Sequence, residues 1–144
     1  MDLLIKQYEG CKLTAYPDPA TGGEPYTVGY GSTLKPDGSK FKLGEEITQA
    51  TADALLTDYL IKNIVPVFKK IPYQLTMNQK RAVASLCYNI GVPAFLKSKC
   101  YKAMCEKNWL EMVNNWDWYK ANGKAMNGLI KRRLHEAYLY CSDI

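Results

Sequence analysis

The sequence predicts an α+β fold with a small N-terminal lobe, which carries a short antiparallel sheet, and a larger helical lobe. Three observations predict it: a short amphipathic first segment, a stretch rich in glycine and proline at residues 11–47, and helical periodicity from Thr48 onward. A length of 144 residues suits one domain. We expect one domain over residues 1–144, with a small lobe at about 11–47, a helical lobe at about 48–144, and a cleft between them.

Local signals predict the elements of the small lobe. Asp2 can cap a first helix that Gly10 ends, and we expect this helix, residues 2–9, to pack on the helical lobe. Its apolar positions are Leu3, Leu4, Ile5 and Tyr8. The turn-rich stretch that follows holds short runs at residues 12–16, 26–30 and 40–43, which predict two or three short strands.

N-caps and helix breakers divide the helical lobe. Thr48 can begin a long helix that Pro66 should kink or end near Ile64, and Thr76 can begin another that Gly91 ends. Shorter helices are expected at about residues 94–107 and 109–119, then a turn at Asn122-Gly123 and a last helix from Gly128 to about Cys141. The inward-facing positions are predicted to be Ala52, Leu55, Leu56, Tyr59, Leu60, Ala82, Val83, Leu86, Cys87 and Ile90.

Composition narrows the function classes. Apolar residues make up 47% and charged residues 23% of the chain, as in ordinary globular proteins. No apolar run is long enough to span a membrane, and the N-terminus does not resemble a signal peptide, so we expect the product to stay where it is made. The net charge of +5 favours anionic polymers without selecting among nucleic acid, lipid surface and bacterial wall.

Cysteine and histidine usage argues against several kinds of site. The five cysteines form no CxxC pair, and His135 is the only histidine, so a disulfide framework and a zinc site are not expected. With one histidine and no GxSxG motif, a Ser-His-Asp hydrolase is improbable, and no phosphate-binding glycine loop is present. Carboxylates are left, and glycoside hydrolysis uses them in pairs.

Glu9 and Asp18 are the candidate pair. Glu9 falls in the last turn of the first helix, where the partial negative charge of the helix terminus favours a protonated acid. Asp18 lies between two prolines, and Thr27, which begins the run TVGYG, could hold a water with it. Glu24 is a rival second carboxylate. Spacing alone also allows a purely structural role for each of the four. Glu9 could be a solvated helix residue, Thr27 a strand residue, and the other two turn residues.

Several motifs in a fixed order resemble one family. Residues 9–18 and 26–33 are similar to the active-site signature of the phage-type lysozymes, glycoside hydrolase family 24: Glu-Gly, an aliphatic-x-x-Tyr segment, Asp, and Thr-[Ile/Val]-Gly-x-Gly. LTxNQ with YNIG, then AFxxS, and GLIxRRxxE near the end resemble later elements of the same family. Nearly the whole chain is covered, and the order of the motifs makes the resemblance specific.

The resemblance implies a peptidoglycan-cleaving enzyme without metal or organic cofactor. Glu9 would protonate the glycosidic oxygen, and Asp18 with Thr27 would position the attacking water. Family members invert configuration, which requires the two carboxyl groups to lie about 6.5–9.5 Å apart. Substrate contacts are implied for Thr33, Tyr88, Asn89 and Ser98, although packing or surface roles are equally open for each.

Two departures from the family pattern bear on the site. Asp18 and Thr27 are nine residues apart in place of six, and the extra residues, at 21–25, could bring Glu24 near the cleft. Ser32 stands where some members carry a supporting histidine. We expect this serine to cost little activity, because the histidine has a supporting role.

The last helix and the tryptophans supply further candidates. A helical wheel places Ile130, Leu134, Ala137 and Cys141 on one face, with Arg133 beside it and Arg132 opposite. Arg133 is therefore the better candidate to support Glu9, and a solvated role for both arginines is equally open. Trp109, Trp116 and Trp118 could form a sugar platform, but helical spacing favours a core role. The lysines between residues 97 and 131 predict a solvated face that could also steer docking on the anionic wall.

Three functions are compatible with these sequence features. A lysozyme would hydrolyse the β-1,4 bond between N-acetylmuramic acid and N-acetylglucosamine in peptidoglycan glycan strands. A lytic transglycosylase would cut the same bond without water, and a non-catalytic module would bind wall or nucleic acid. The Asp18 and Thr27 positions favour hydrolysis. We expect a monomer that binds no nucleic acid, has no integral membrane segment, stays in the host cytoplasm, and depends on a holin pore to reach the periplasm and cell wall at lysis.

Overall fold

The chain folds into eight α-helices, one π-helical turn and two small antiparallel sheets. A computed structural model describes residues 1–144. The elements in chain order are α1 Leu3–Glu9, β1 Lys12–Tyr16, β2 Thr27–Gly29, α2 Gln49–Tyr59, the π turn Leu60–Ile64, α3 Val65–Lys70, α4 Met77–Ile90, α5 Val92–Leu96, α6 Lys99–Cys105, α7 Trp109–Asn114, β3 Lys120–Ala121, β4 Lys124–Ala125 and α8 Asn127–Cys141. The predicted α+β class is confirmed, and no helix is long and apolar enough to cross a membrane.

Contacts divide the chain into two units. The N-terminal unit is Ile5–Lys62, and the helical unit consists of Met1–Leu4 and Asn63–Ile144. The sequence placed its boundary at residues 47 and 48, where composition changes. Contacts group residues 48–62 with the N-terminal unit because α2 packs against β2.

The N-terminal unit is built on the β1–β2 pair. These strands are antiparallel, with Lys12 opposite Gly29 and Tyr16 opposite Thr27. Its core consists of Ala15, Val28, Phe41 and Leu55, with Tyr26 and Ile47 packed against it. The possible third strand at residues 40–43 does not form: Lys40 makes only an isolated bridge to Leu34. Phe41 alone of these four residues is buried, so the run offers no apolar face to a sheet.

The α2 helix begins as predicted and ends differently. The Thr48 side chain accepts the Thr51 N–H at 3.1 Å, which confirms the N-cap. Pro66 does not end the helical path near Ile64: the backbone widens into the π turn and continues as α3. Pro66 lies in the first turn of α3, where its missing N–H is tolerated. The buried residues are the predicted ones except Tyr59, whose ring stays 37% exposed.

In the helical unit, α4 and α8 pack along each other. Thr76 and Gln79 form a capping box at the start of α4, and Gly91 follows its end, as predicted. Of the expected inward residues of α4, only Ile90 is not fully buried. The helix expected at 94–107 is two helices, because Ser98 caps a new one, and the helix expected at 109–119 ends at Asn114.

A short hairpin precedes α8. Its turn is the predicted Asn122-Gly123 pair, and both residues have positive φ, 52° and 76°. Such a pair suits the tight turn between two antiparallel strands. The flanking strands β3 and β4, each two residues long, were not predicted.

The buried face of α8 differs from the predicted one. Leu134, expected to face inward, is 66% exposed, whereas Arg132 and Arg133 are only 4% and 3% exposed. Glu136, Ala137 and Tyr140 are buried with them. The solvated interpretation of both arginines is therefore wrong: their charges are buried against a carboxylate, which makes burial tolerable.

Candidate active site

Glu9 is the last residue of α1. Leu4 and Ile5 anchor this helix through buried side chains, and Glu9 itself is half-buried. Gly10 follows with φ of +66°, a conformation that costs a side-chain-bearing residue energy, and the chain then enters β1. The predicted position at the end of a helix is confirmed.

Asp18 lies two residues beyond β1 in a tight turn. Its Oδ1 accepts the Ala20 N–H at 2.7 Å, and its backbone bonds to Gly22 and Gly23. This is the turn role that the spacing in the sequence left open. The bond occupies one carboxylate oxygen, and a carboxylate has a second that can accept a proton from water.

Thr27 begins β2 and pairs with Tyr16, two residues before Asp18. Asp18 follows this end of the strand pair by two residues, and both Thr27 and Asp18 are half-buried. Glu9 precedes the opposite end of the same pair, where Lys12 faces Gly29. The N-terminal unit thus contains all three residues for which the resemblance implies catalysis.

The carboxylate of Glu24 pairs with a lysine and with none of these three residues. Its carboxylate lies 3.7 Å from Lys40 Nζ, and both side chains are largely exposed. Glu24 and Lys40 line a pocket of about 130 Å³ together with Thr33, Tyr26 and Phe41.

A buried ionic cluster fills the contact between α4 and α8. Glu136, fully buried, accepts from Arg133 Nη2 at 2.8 Å, Arg132 Nε at 3.3 Å and Ser85 Oγ at 2.6 Å. Its other oxygen accepts Trp116 Nε1 at 3.1 Å. The RR-x-x-E spacing places both arginines within one turn of Glu136. The sequence analysis identified this motif, but amphipathic periodicity did not predict that it is buried.

Arg133 links this cluster to a predicted substrate contact. Its Nη1 donates to Asn89 Oδ1 at 2.8 Å and to the Trp118 carbonyl at 3.3 Å. Asn89 is exposed and Tyr88 half-buried at the end of α4. Ser98 has a structural role: it accepts the Tyr101 N–H as N-cap of α6 and donates to the Phe95 carbonyl.

Two of the three tryptophans join an aromatic cluster. Trp116 and Trp109 lie 5.7 and 6.3 Å from Tyr140, centroid to centroid, and Tyr73 lies 6.2 Å from Trp109. Trp116 is 4% exposed. The core role favoured for them is confirmed for Trp116, while Trp109 and Trp118 are half-buried.

Two of the five cysteines are buried thiols of low reactivity. All five are free. Burial raises the pKa of Cys100 to about 12 and that of Cys87 further, so neither is a thiolate near neutral pH. No three metal-binding side chains converge anywhere in the chain.

Sequence reasoning missed a polar network in the N-terminal unit. Asp53 and Gln49, one turn apart on α2, bond to the Tyr30 hydroxyl, and Lys6 of α1 lies 3.3 Å from Asp53. The four-residue spacing of Gln49 and Asp53 is a helix-face signal that could have paired them. Nothing in the sequence shows their contact with Tyr30.

Comparison with known proteins gives a consistent result. A sequence profile described as phage lysozyme matches residues 6–136. The endolysin of Acyrthosiphon pisum secondary endosymbiont phage 1 is 35% identical over 96% of this chain and 92% of its own length. Endolysins of Bacillus phages B103 and PZA also match, and there the chain spans only about half their length.

Solved structures share the fold. The endolysin from Escherichia coli O157:H7 phage FAHEc1 superposes with a TM-score of 0.83 at 34% identity, covering 98% of this chain and 90% of that one. The muramidase domain of SpmX from Asticaccaulis excentricus gives 0.79 at 31% identity, covering 96% and 92%.

Proposed function

The chain belongs to the phage lysozyme family, and from that membership we propose how it cleaves peptidoglycan and when it reaches its substrate. As a family member it is a glycoside hydrolase, a muramidase of the endolysin type. The bond it cuts is the β-1,4 linkage between N-acetylmuramic acid and N-acetylglucosamine.

Glu9 acts as the general acid. It protonates the glycosidic oxygen as the bond to the leaving sugar breaks, while water attacks the anomeric carbon from the opposite face. Asp18 takes a proton from that water, and the Thr27 hydroxyl helps to hold it. The product is an inverted hemiacetal.

One observation carries this assignment. The single β1–β2 pair joins the three residues, with Glu9 ahead of one end and Asp18 and Thr27 at the other. The strand pair has an irregular register between Lys12 and Tyr16, and it connects the segments that carry the two carboxyl groups, whose separation must leave room for a water. The thiols of Cys87 and Cys100 are buried and protonated near neutral pH, so they do not compete as nucleophiles.

Substrate contacts implied by the family resemblance are also proposed for residues of the helical unit. Asn89, held by Arg133, presents an amide suited to an acetamido group, and Tyr88 beside it offers an aromatic surface for a sugar. Thr33 contributes from the N-terminal unit. Ser98 is the weakest of these contacts, because both its bonds serve α6.

The first experiment digests purified Gram-negative peptidoglycan with the wild type and with Glu9→Gln, followed by mass spectrometry of the soluble products. We expect muropeptides with ordinary reducing ends from the wild type and none from Glu9→Gln. Products lighter by one water would make the enzyme a lytic transglycosylase. Binding to the wall without any soluble product would leave a non-catalytic module.

Access to the wall is proposed to depend on a second protein. We expect the enzyme to act as a monomer that waits in the host cytoplasm until a holin opens the inner membrane. Expression with a holin should lyse cells, and expression alone should not. Lysis by the enzyme alone, with the inner membrane intact, would contradict this proposal.

A further inference from the structure

The segment that carries Glu9 is bound to α2 on both sides. Three residues before Glu9, Lys6 Nζ lies 3.3 Å from Asp53 Oδ1. Two residues after it, Cys11 Sγ donates to Gln49 Oε1 at 3.8 Å. Gln49 and Asp53 are one turn apart on α2, so a single helix face holds both flanks of Glu9.

The same two α2 residues also bind the end of β2. Gln49 Nε2 donates to the Tyr30 hydroxyl at 3.0 Å and to Asp53 Oδ1 at 3.1 Å, and that hydroxyl donates to Asp53 Oδ1 at 3.2 Å. The Tyr30 ring is buried, and Lys6 Nζ lies 5.6 Å from its centroid. Tyr30 directly follows the last residue of β2.

We propose that Asp53 and Gln49 are positioning residues, which fix the end of α1 relative to β2 and thereby orient the Glu9 carboxyl toward the scissile bond. This inference rests on the proposed role of Glu9 as general acid. Neither α2 residue is expected to touch the substrate; both act through the chain segments on either side of Glu9.

The charge of Asp53 is part of this device. The hydrogen bond from the Gln49 amide, and after it the Lys6 ammonium, hold the pKa of Asp53 below its usual range. Asp53 is therefore ionised near neutral pH. The Lys6 and Asp53 side chains are 34% and 44% exposed. A pair this exposed stabilises a fold little, so its loss should affect the geometry of Glu9 more than folding.

The test measures kcat and KM on a soluble, uncross-linked peptidoglycan oligomer. Asp53→Ala should lower kcat about tenfold, a typical cost of slight misplacement, with KM within about twofold of wild type. Asp53→Glu, which can still reach Lys6, should restore most of kcat. The matched control is Asp58→Ala, which removes an exposed pair between α2 and Lys62 of the following π turn and should leave kcat unchanged.

Each outcome separates positioning from a purely structural role. An unchanged kcat in Asp53→Ala, or an equal loss in Asp58→Ala, overturns the inference. A loss that follows only the folded fraction, seen by circular dichroism, overturns it as well. If Asp53→Ala does not fold, Gln49→Ala tests the inference instead, because it removes the bonds to Cys11 and Tyr30 while keeping the Lys6–Asp53 pair, and an unchanged kcat in it overturns the inference. Full activity of Glu9→Gln would defeat the proposed function itself, whereas an inactive Glu9→Gln with a normal Asp53→Ala would defeat only this inference.

Discussion

At the scale of single residues, the Asp18 carboxylate has an observed turn bond and the role of base that we propose for it. Its Oδ1 is bound to the Ala20 N–H, which keeps the side chain in one orientation after β1. A fixed carboxylate is better placed to hold water than a mobile one, because less orientational freedom is lost in the reaction. The turn bond therefore supports the catalytic proposal.

Asp18→Asn separates the two roles. The amide oxygen can still accept the Ala20 N–H, so the melting temperature should change little, whereas loss of the base should lower kcat about 100-fold or more. Steady-state kinetics and thermal unfolding measure both. Asp37→Asn is the matched control, because Asp37 Oδ1 accepts the Ser39 N–H at 2.9 Å in an equivalent turn and has no proposed catalytic role. Retained activity in Asp18→Asn would leave Asp18 with its turn role alone.

At the scale of elements, caps and breakers were predictable and the buried face of α8 was not. Thr48, Thr76 and Gly91 act through bonds within a few residues of themselves, so sequence is sufficient to place them. Leu134 is exposed while two arginines are buried because Glu136, Ser85 and the Trp118 carbonyl accept their hydrogen bonds. Two of those partners lie on other segments, and no periodicity along α8 reveals them.

The same distinction applies to the candidate site. The position of Glu9 at a helix end could be read from Gly10 because a glycine terminates helices locally. The Lys6–Asp53 contact joins residues 47 positions apart and depends on how α2 packs on β2. Pro66 marked a disturbance correctly, but whether the helix stops or widens is decided by the packing of residues on either side.

Glu136→Ala should be the most damaging single change on α8. It leaves Arg132 and Arg133 buried without their carboxylate, which should reduce the free energy of unfolding by about 3–5 kcal/mol. Urea denaturation measures the loss. Leu134→Ala, on the exposed face of the same helix, should cost no more than about 0.5 kcal/mol. Similar losses of unfolding free energy in both variants would favour the face predicted from the sequence, in which Leu134 points inward.

At the scale of the whole molecule, stability should fall in acid through the N-terminal unit. The Ser39 hydroxyl, the Lys35 ammonium and the Gln49 amide hold the pKa values of Asp37, Glu45 and Asp53, respectively, below their usual range. Groups with pKa values lowered by folding stabilise the native state above their unfolded pKa, about 4, and lose that contribution as pH falls through the folded value.

Urea unfolding at pH 5, 4 and 3 tests this acid sensitivity. The free energy of unfolding should decrease across this series, and the double variant Glu45→Gln with Asp53→Asn should show a shallower decrease. Asp58→Asn, which removes the exposed carboxylate paired with Lys62, serves as the comparison. A double variant with the slope of the wild type would assign acid sensitivity to other carboxyl groups.

The net charge of +5 should give the enzyme a long-range attraction to an anionic wall. Its exposed lysines in the helical unit include Lys97, Lys99, Lys102 and Lys107. Because screening shortens the reach of charge from about 30 Å at 0.01 M salt to about 3 Å at 1 M, added salt should raise KM on intact sacculi several-fold and leave kcat unchanged. Changing these four lysines to glutamine lowers the net charge from +5 to +1 and should remove most of that salt dependence. If KM on sacculi follows salt equally in both proteins, the lysines form only a solvated face, and attraction to the wall arises from residues nearer the substrate.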